Sequence, residues 1–134
     1  MCFSLSIKAQ DAENKEKDAV KRVVETYLFS ENDDERRQTL YEQAKIFSIN
    51  LEKNQISEKP FTKAKKMSQG TKIIALQKVV GIDVFENAAS VKVETDLSYD
   101  NIKIPKHYQF ISLLKAGGEW KIVSILMPAI KPEQ

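Results

Sequence analysis

The strictest constraint on this chain is the alternation of apolar and polar residues in its C-terminal half. Val91, Val93, Thr95 and Leu97 interleave with Lys92, Glu94 and Asp96. Successive side chains of a strand point to opposite faces, so this segment reads as a strand with one buried and one wet face. Downstream, His107 to Ala116 and Glu119 to Met127 flank Gly117-Gly118. That is a hairpin, because glycine reaches positive φ without a steric penalty. Upstream, Ile73 to Phe85 is a further β-branched run, with a bulge or bend expected at Gly81 and a turn at Glu86-Asn87-Ala88-Ala89. Ser98 to Pro105 is expected to be a loop.

The first half of the chain follows a different period. From Asp11 to about Ser30, Val20, Val23, Val24, Tyr27 and Leu28 recur at spacings of three and four, the stripe of an amphipathic helix. Asn32 or Asp33 is suited to cap a second helix running through about Ala44, with Leu40, Tyr41 and Ala44 facing inward. Ile46 to Leu51 then reads as a strand, Lys53-Asn54-Gln55 as a turn and Ile56 to Lys59 as the returning strand. Pro60 ends it, and Phe61 to Gln69 is expected to form a short third helix closed by Gly70.

A chain of 134 residues with 42% hydrophobic and 30% charged content fits one globular domain, residues 11–130. Its net charge of +2 lacks the strongly basic face of a nucleic-acid binder. The densest basic stretch, Lys59, Lys63, Lys65, Lys66 and Lys72, reads as solvated surface, so no nucleic-acid partner is expected. Cys2 is the only cysteine and His107 the only histidine. An intrachain disulfide is therefore excluded, and neither a metal nor a cofactor is expected. No segment approaches the ~20 apolar residues that span a membrane as a helix. Residues 1–10, with Cys2, Phe3, Leu5 and Ile7 before Ala9-Gln10, read either as the remnant of a secretory signal or as a frayed terminus. The first reading implies a periplasmic or secreted protein, the second a cytoplasmic one.

Two stretches, IDVFENAASVKVETDL (Ile82 to Leu97) and HYQFISLLKAGGEWKIV (His107 to Val123), carry a family resemblance. A strand, an Asn-containing turn and Ala-x-Val-x-Val, followed by a strand, a glycine turn and Glu-Trp-Lys-Ile-Val, resembles the nuclear transport factor 2-like superfamily. Within it the chain is similar to the lumazine-binding and SnoaL-like branches. The resemblance implies an α+β fold in which N-terminal helices pack on a strongly curved antiparallel sheet, a cystatin-like cone with an apolar pocket open at one end. Members include isomerases, cyclases and dehydratases as well as non-catalytic binding and dimerising modules.

Many relatives carry a His and an Asp where this chain has Leu40-Tyr41-Glu42-Gln43-Ala44, and relatives of this branch often carry Asp at the position of Gln109. An amide cannot take up a proton at neutral pH, so this departure weakens an acid–base mechanism. Regular hairpin parity puts Gln109, Ile111, Leu113, Trp120, Ile122, Ser124 and Leu126 on one face, with His107 at its open end. Tyr27, Tyr41, Phe47, His107, Gln109 and Trp120 are the ligand-pocket candidates, and His107 is the weak candidate for a base. The expected function is a small-molecule-binding, non-catalytic domain for a small apolar or aromatic ligand. The alternatives are an isomerase, cyclase or dehydratase using His107 and a Tyr, and a dimerisation module with a vestigial pocket. The opposite face would carry Tyr108, Phe110, Leu114, Val123, Ile125 and Met127, apolar enough to predict a homodimer through Phe110, Val123 and Ile125.

Overall fold

Helix α1 (Cys2–Phe29) carries the expected stripe, and its residues 2–10 continue the same helix across Asp11. The computed structural model of the chain describes residues 2–61, 73–99 and 102–129. Val20 and Val24 of α1 are fully buried, with Val23, Tyr27 and Leu28 packed beside them. Each such valine contributes about 1.5–3 kcal/mol by leaving water.

Asn32 caps α2 (Asp33–Gln38) as its residue type predicts, its Oδ1 accepting from the backbone N–H of Asp34 at 2.9 Å and of Glu35 at 3.2 Å. The helix then stops six residues short of Ala44. Thr39 Oγ1 donates to the Arg36 carbonyl at 2.6 Å, and the Ile122 N–H donates to the Thr39 carbonyl at 2.8 Å. These two bonds close the helix and hand the chain to the sheet. Leu40, Tyr41 and Ala44 accordingly lie in strand β1 (Leu40–Asn50) and not on a helix. No side chain of α2 is buried, so α1 supplies the helical share of the described core.

The remaining strands are β2 (Gln55–Pro60), β3 (Ile73–Phe85), β4 (Ala88–Tyr99), β5 (Ile102–Ala116) and β6 (Glu119–Met127). They form one curved, open sheet in the order β2-β1-β6-β5-β4-β3. Neighbours are antiparallel except β1 and β6, which run parallel. Helix α1 lies across the face that carries Ala89, Val91 and Val93 of β4, Ile111 and Leu113 of β5, and Trp120, Ile122 and Ile125 of β6. The expected loop from Ser98 to Pro105 is mostly strand, since Tyr99 pairs with Ile102 and Leu97 with Ile104. The third helix expected from Phe61 to Gln69 lies outside the described residues, Phe61 apart.

Three irregularities decide which side chains face α1. Between Val79 and Gly81 the β3–β4 register slips by one at Val80, beside the glycine that suggested a bulge. Between Thr95 and Leu97 strand β5 holds an extra residue at Pro105-Lys106, where proline cannot supply a ladder donor. In β6, Ile122 pairs with Leu113 but Ser124 with Ser112, so Val123 is the extra residue. A single inserted residue exchanges the two faces of everything beyond it. Ile125 is therefore a core side chain, 2% exposed, and Leu126 takes the outer position, 48% exposed. The expected faces of β6 are corrected accordingly: Ser124 and Leu126 leave the helix-facing set, and Ile125 leaves the proposed dimer surface.

Candidate functional site

On the face toward α1, strands β3, β4 and β5 interrupt their aliphatic rows with Gln77, Thr95, His107 and Gln109. Gln77 of β3 pairs with Thr95 of β4, and Thr95 pairs with His107 of β5. The next row pairs Val79 with Val93 and Val93 with Gln109, and on the other side Leu97 pairs with Ile104. A band of hydroxyl, imidazole and amide groups is thus held between the aliphatic pairs Val79–Val93 and Leu97–Ile104. Its position follows from β4, whose strict alternation puts Thr95 on the same side as the fully buried Val91 and Val93.

Thr95 is 2% exposed, and among the described residues its hydroxyl has no hydrogen-bond partner. A buried hydroxyl left in that state costs about 1–3 kcal/mol, so a native fold seldom keeps one without a use. His107 is half-buried, its Nδ1 lying 3.1 Å from the Pro105 carbonyl. A carbonyl only accepts, so Nδ1 carries the hydrogen in this contact. In the neutral ring Nε2 is then a bare acceptor. The group that orients His107 is a main-chain carbonyl, whereas a catalytic imidazole is commonly oriented by a carboxylate.

The other candidates are scattered. Tyr27 packs against the core from α1, its ring edge-on to Phe61 with centroids 5.7 Å apart at 83°. The Arg36 guanidinium stands 5.5 Å from that ring, and its Nε donates to the Tyr27 carbonyl at 3.0 Å. Burial pushes the Tyr27 phenol above its ordinary range, against the opposing pull of Arg36, so it stays a hydroxyl donor. Trp120 is buried at the hairpin end, where its Nε1 donates to Glu16 Oε2 at 2.7 Å while Lys115 Nζ donates to Glu16 Oε1 at 2.7 Å. Those bonds pin α1 to the hairpin. Tyr41 is 47% exposed in the irregular part of β1.

Phe47 lies on the opposite face, paired with Leu126 and Glu58. There, with Ile49, Ile56, Phe110, Leu126 and Met127, it lines a shallow apolar depression of about 250 Å3. So the structure brings His107 and Gln109 together and adds Thr95 and Gln77, which sequence reasoning gave no role. Thr95 was recognisable as a polar residue on the buried parity of β4. Gln77 was hidden, because the slip at Val80 scrambles the parity of β3. Asp83 is exposed opposite Ser90, and Asp96 lies on the wet face of β4 near Lys106, whose ammonium is held above its usual range chiefly by its hydrogen bond to Glu94. Neither belongs to the row.

Comparison with known proteins places this architecture. A search of curated protein sequences finds no match. Among solved structures the chain is similar to a nuclear transport factor 2-like protein of unknown function from Shewanella baltica, at 22% identity and TM-score 0.62, over 90% of this chain and 95% of that one. A second, from Methylobacillus flagellatus, shares 17% identity with TM-score 0.59 over 87% and 93% of the two chains. A third, from Silicibacter pomeroyi, shares 14% identity with TM-score 0.60 over 88% and 98%. At these identities the likeness is one of fold. The family model described as "Putative lumazine-binding" matches residues 15–126, and the chain belongs to that family.

Proposed function

We propose that this protein binds a small, flat, largely apolar molecule on the helix-facing side of its sheet, at the Gln77–Thr95–His107 row, and that it does so without catalysing a reaction. The observation that carries the reading is the buried, unpartnered hydroxyl of Thr95 between the aliphatic Val93 and Leu97 of the same strand face. Apolar walls with a few converging polar groups are what small-molecule sites are built from. The family description adds support from outside the geometry, since it names a bicyclic heterocycle. The carbonyl partner of His107 favours binding over proton transfer. Lumazine is fluorescent, so titrating the protein into it reads binding directly. Saturable binding with no change in the recovered compound is the expected result. No binding, or steady conversion of the compound, would contradict it.

The proposal extends to assembly. The outer face carries an apolar patch beside its Lys45–Glu58 ion pair, where Ile56, Ile49, Leu126 and Phe110 are 77%, 40%, 48% and 41% exposed. Soluble monomers seldom leave more than about a few hundred Å2 of contiguous apolar surface open. The neighbouring part of the face carries both signs of charge, with Lys106 3.3 Å from Glu94 and Lys92 4.3 Å over the Tyr108 ring. Neither sign of charge dominates there, so a second copy of this chain would meet no net repulsion, which supports it as the cover.

A further inference from the structure

We propose that the outer edge of β3 pairs antiparallel with β3 of a second copy of this chain, about a two-fold axis at the Val80–Gly81 step. Among the described strands β3 has one neighbour, β4, and β2 forms the opposite edge of the sheet. A sheet edge presents unpaired N–H and C=O groups, and natural proteins blunt it with short strands, proline and charge. Strand β2 follows that rule: it is six residues long, carries Glu58 and Lys59 and ends in Pro60. Strand β3 does not. It runs for 13 residues without proline, and Lys78 and Asp83 are its only charges. Its Leu76, Val80 and Phe85 are 67%, 43% and 79% exposed.

The bulge selects the partner. Before it, Leu76 and Lys78 take the outer face, paired with Asp96 and Glu94 of β4; after it, Asp83 and Phe85 do, paired with Ser90 and Ala88. Outward positions are thus even-numbered on one side of the step and odd-numbered on the other. A straight strand laid along this edge would fall out of step at Val80, which is how a bulge ordinarily protects an edge. A strand with the same bulge, turned about a two-fold axis through it, stays in step. Val79 and Ile82 face Val93 and Val91, two residues apart on β4, so they share one hydrogen-bonding phase, as positions paired across that axis must. The resulting register sets Lys78 of one copy against Asp83 of the other, and Leu76 against Phe85, on the outer face. On the inner face it sets Val79 against Ile82 and Gln77 against Val84. The two-fold axis makes each contact twice. Opposite charges and facing apolar side chains are the cross-strand pairs that stabilise a sheet.

This contact is separate from the outer-face patch, which lies along β2, β1, β6 and β5. It is one strand wide, at the small end of protein interfaces, so it forms at higher concentration than the face assembly. The test is sedimentation equilibrium of the full chain carrying Leu126→Glu, followed from micromolar to millimolar concentration, with two further changes in β3. Leu126→Glu alone should be a monomer at micromolar and a dimer toward millimolar concentration. Adding Lys78→Asp sets like charges against each other at both ends of the pairing and should weaken that dimer by about tenfold or more. Adding Asp83→Lys as well should restore it to within about threefold, because in this register the exchanged charges attract again. Lys78 and Asp83 are both exposed, so every variant should keep the far-ultraviolet circular dichroism of the parent. A Leu126→Glu chain that stays monomeric to millimolar concentration would overturn the proposal. So would a dimer indifferent to Lys78→Asp, or one that the second exchange does not restore, since the copies would then be meeting on another surface or in another register.

Discussion

Glu16 shows how one side chain can tie two elements together. Its two carboxylate oxygens accept separately from Lys115 Nζ and from Trp120 Nε1, each at 2.7 Å, so α1 is held to the end of the β5–β6 hairpin. The same bonds satisfy an indole N–H that burial would otherwise leave unpaired. The hydrogen bonds from Lys115 and then Trp120 hold the Glu16 carboxyl below its ordinary value of 4.5. A folded-state pKa below the unfolded one contributes stability that is fully present above the unfolded value. It is lost as pH falls through the folded value. Glu16→Gln should therefore lower Tm at pH 7, and the gap from the parent should close as pH falls below 4.5. Thermal melts of both proteins across that range check it. A gap constant in pH would assign the effect to packing alone.

At the scale of elements, what was legible and what was hidden follow from the same physics. The alternation of β4 and the Gly117-Gly118 turn, with φ of 59° and 81°, were readable because each has one physical solution. The α1 stripe was readable because its period is 3.6 and its neighbours' is 2. The end of α2 was not, since Leu40, Tyr41 and Ala44 fit an inward helical spacing equally well and only tertiary bonds at Thr39 decide. The bulge at Val123 was hidden for a different reason. Ile122, Val123, Ile125, Leu126 and Met127 are apolar on both parities, so a slip of one leaves the pattern unchanged. Of the candidate site only the shared face of His107 and Gln109 was legible, from the regular alternation of β5 beyond its bulge, while Phe47 falls on the other face and Thr95 and Gln77 were given no role. The bulge makes a sharp prediction for two adjacent residues. Ile125→Ala should cost about 2–5 kcal/mol by opening a cavity in the core, whereas Leu126→Ala should stay within about 1 kcal/mol in the monomer. Urea denaturation of both variants measures this, and equal losses would mean that β6 runs without the bulge.

The whole molecule is a sheet with two different faces. One is covered by α1 and carries the polar row, while the other holds an exposed apolar patch along β2, β1, β6 and β5. If the second face is the assembly surface, Leu126→Glu should convert a dimer into a folded monomer, because Leu126 lines the depression and stands outside the core. Sedimentation equilibrium at micromolar concentration gives the answer, with circular dichroism as the check on folding. A parent protein that is already monomeric, or a dimer indifferent to that charge, would remove the assembly from the account. The most direct test of the central claim is amide chemical-shift mapping of the protein with lumazine. Ligand on the helix-facing side should move the resonances of Gln77, Val93, Thr95, His107 and Gln109. Shifts confined to Phe47, Ile49, Ile56, Phe110 and Leu126 would put the ligand on the outer face and contradict it.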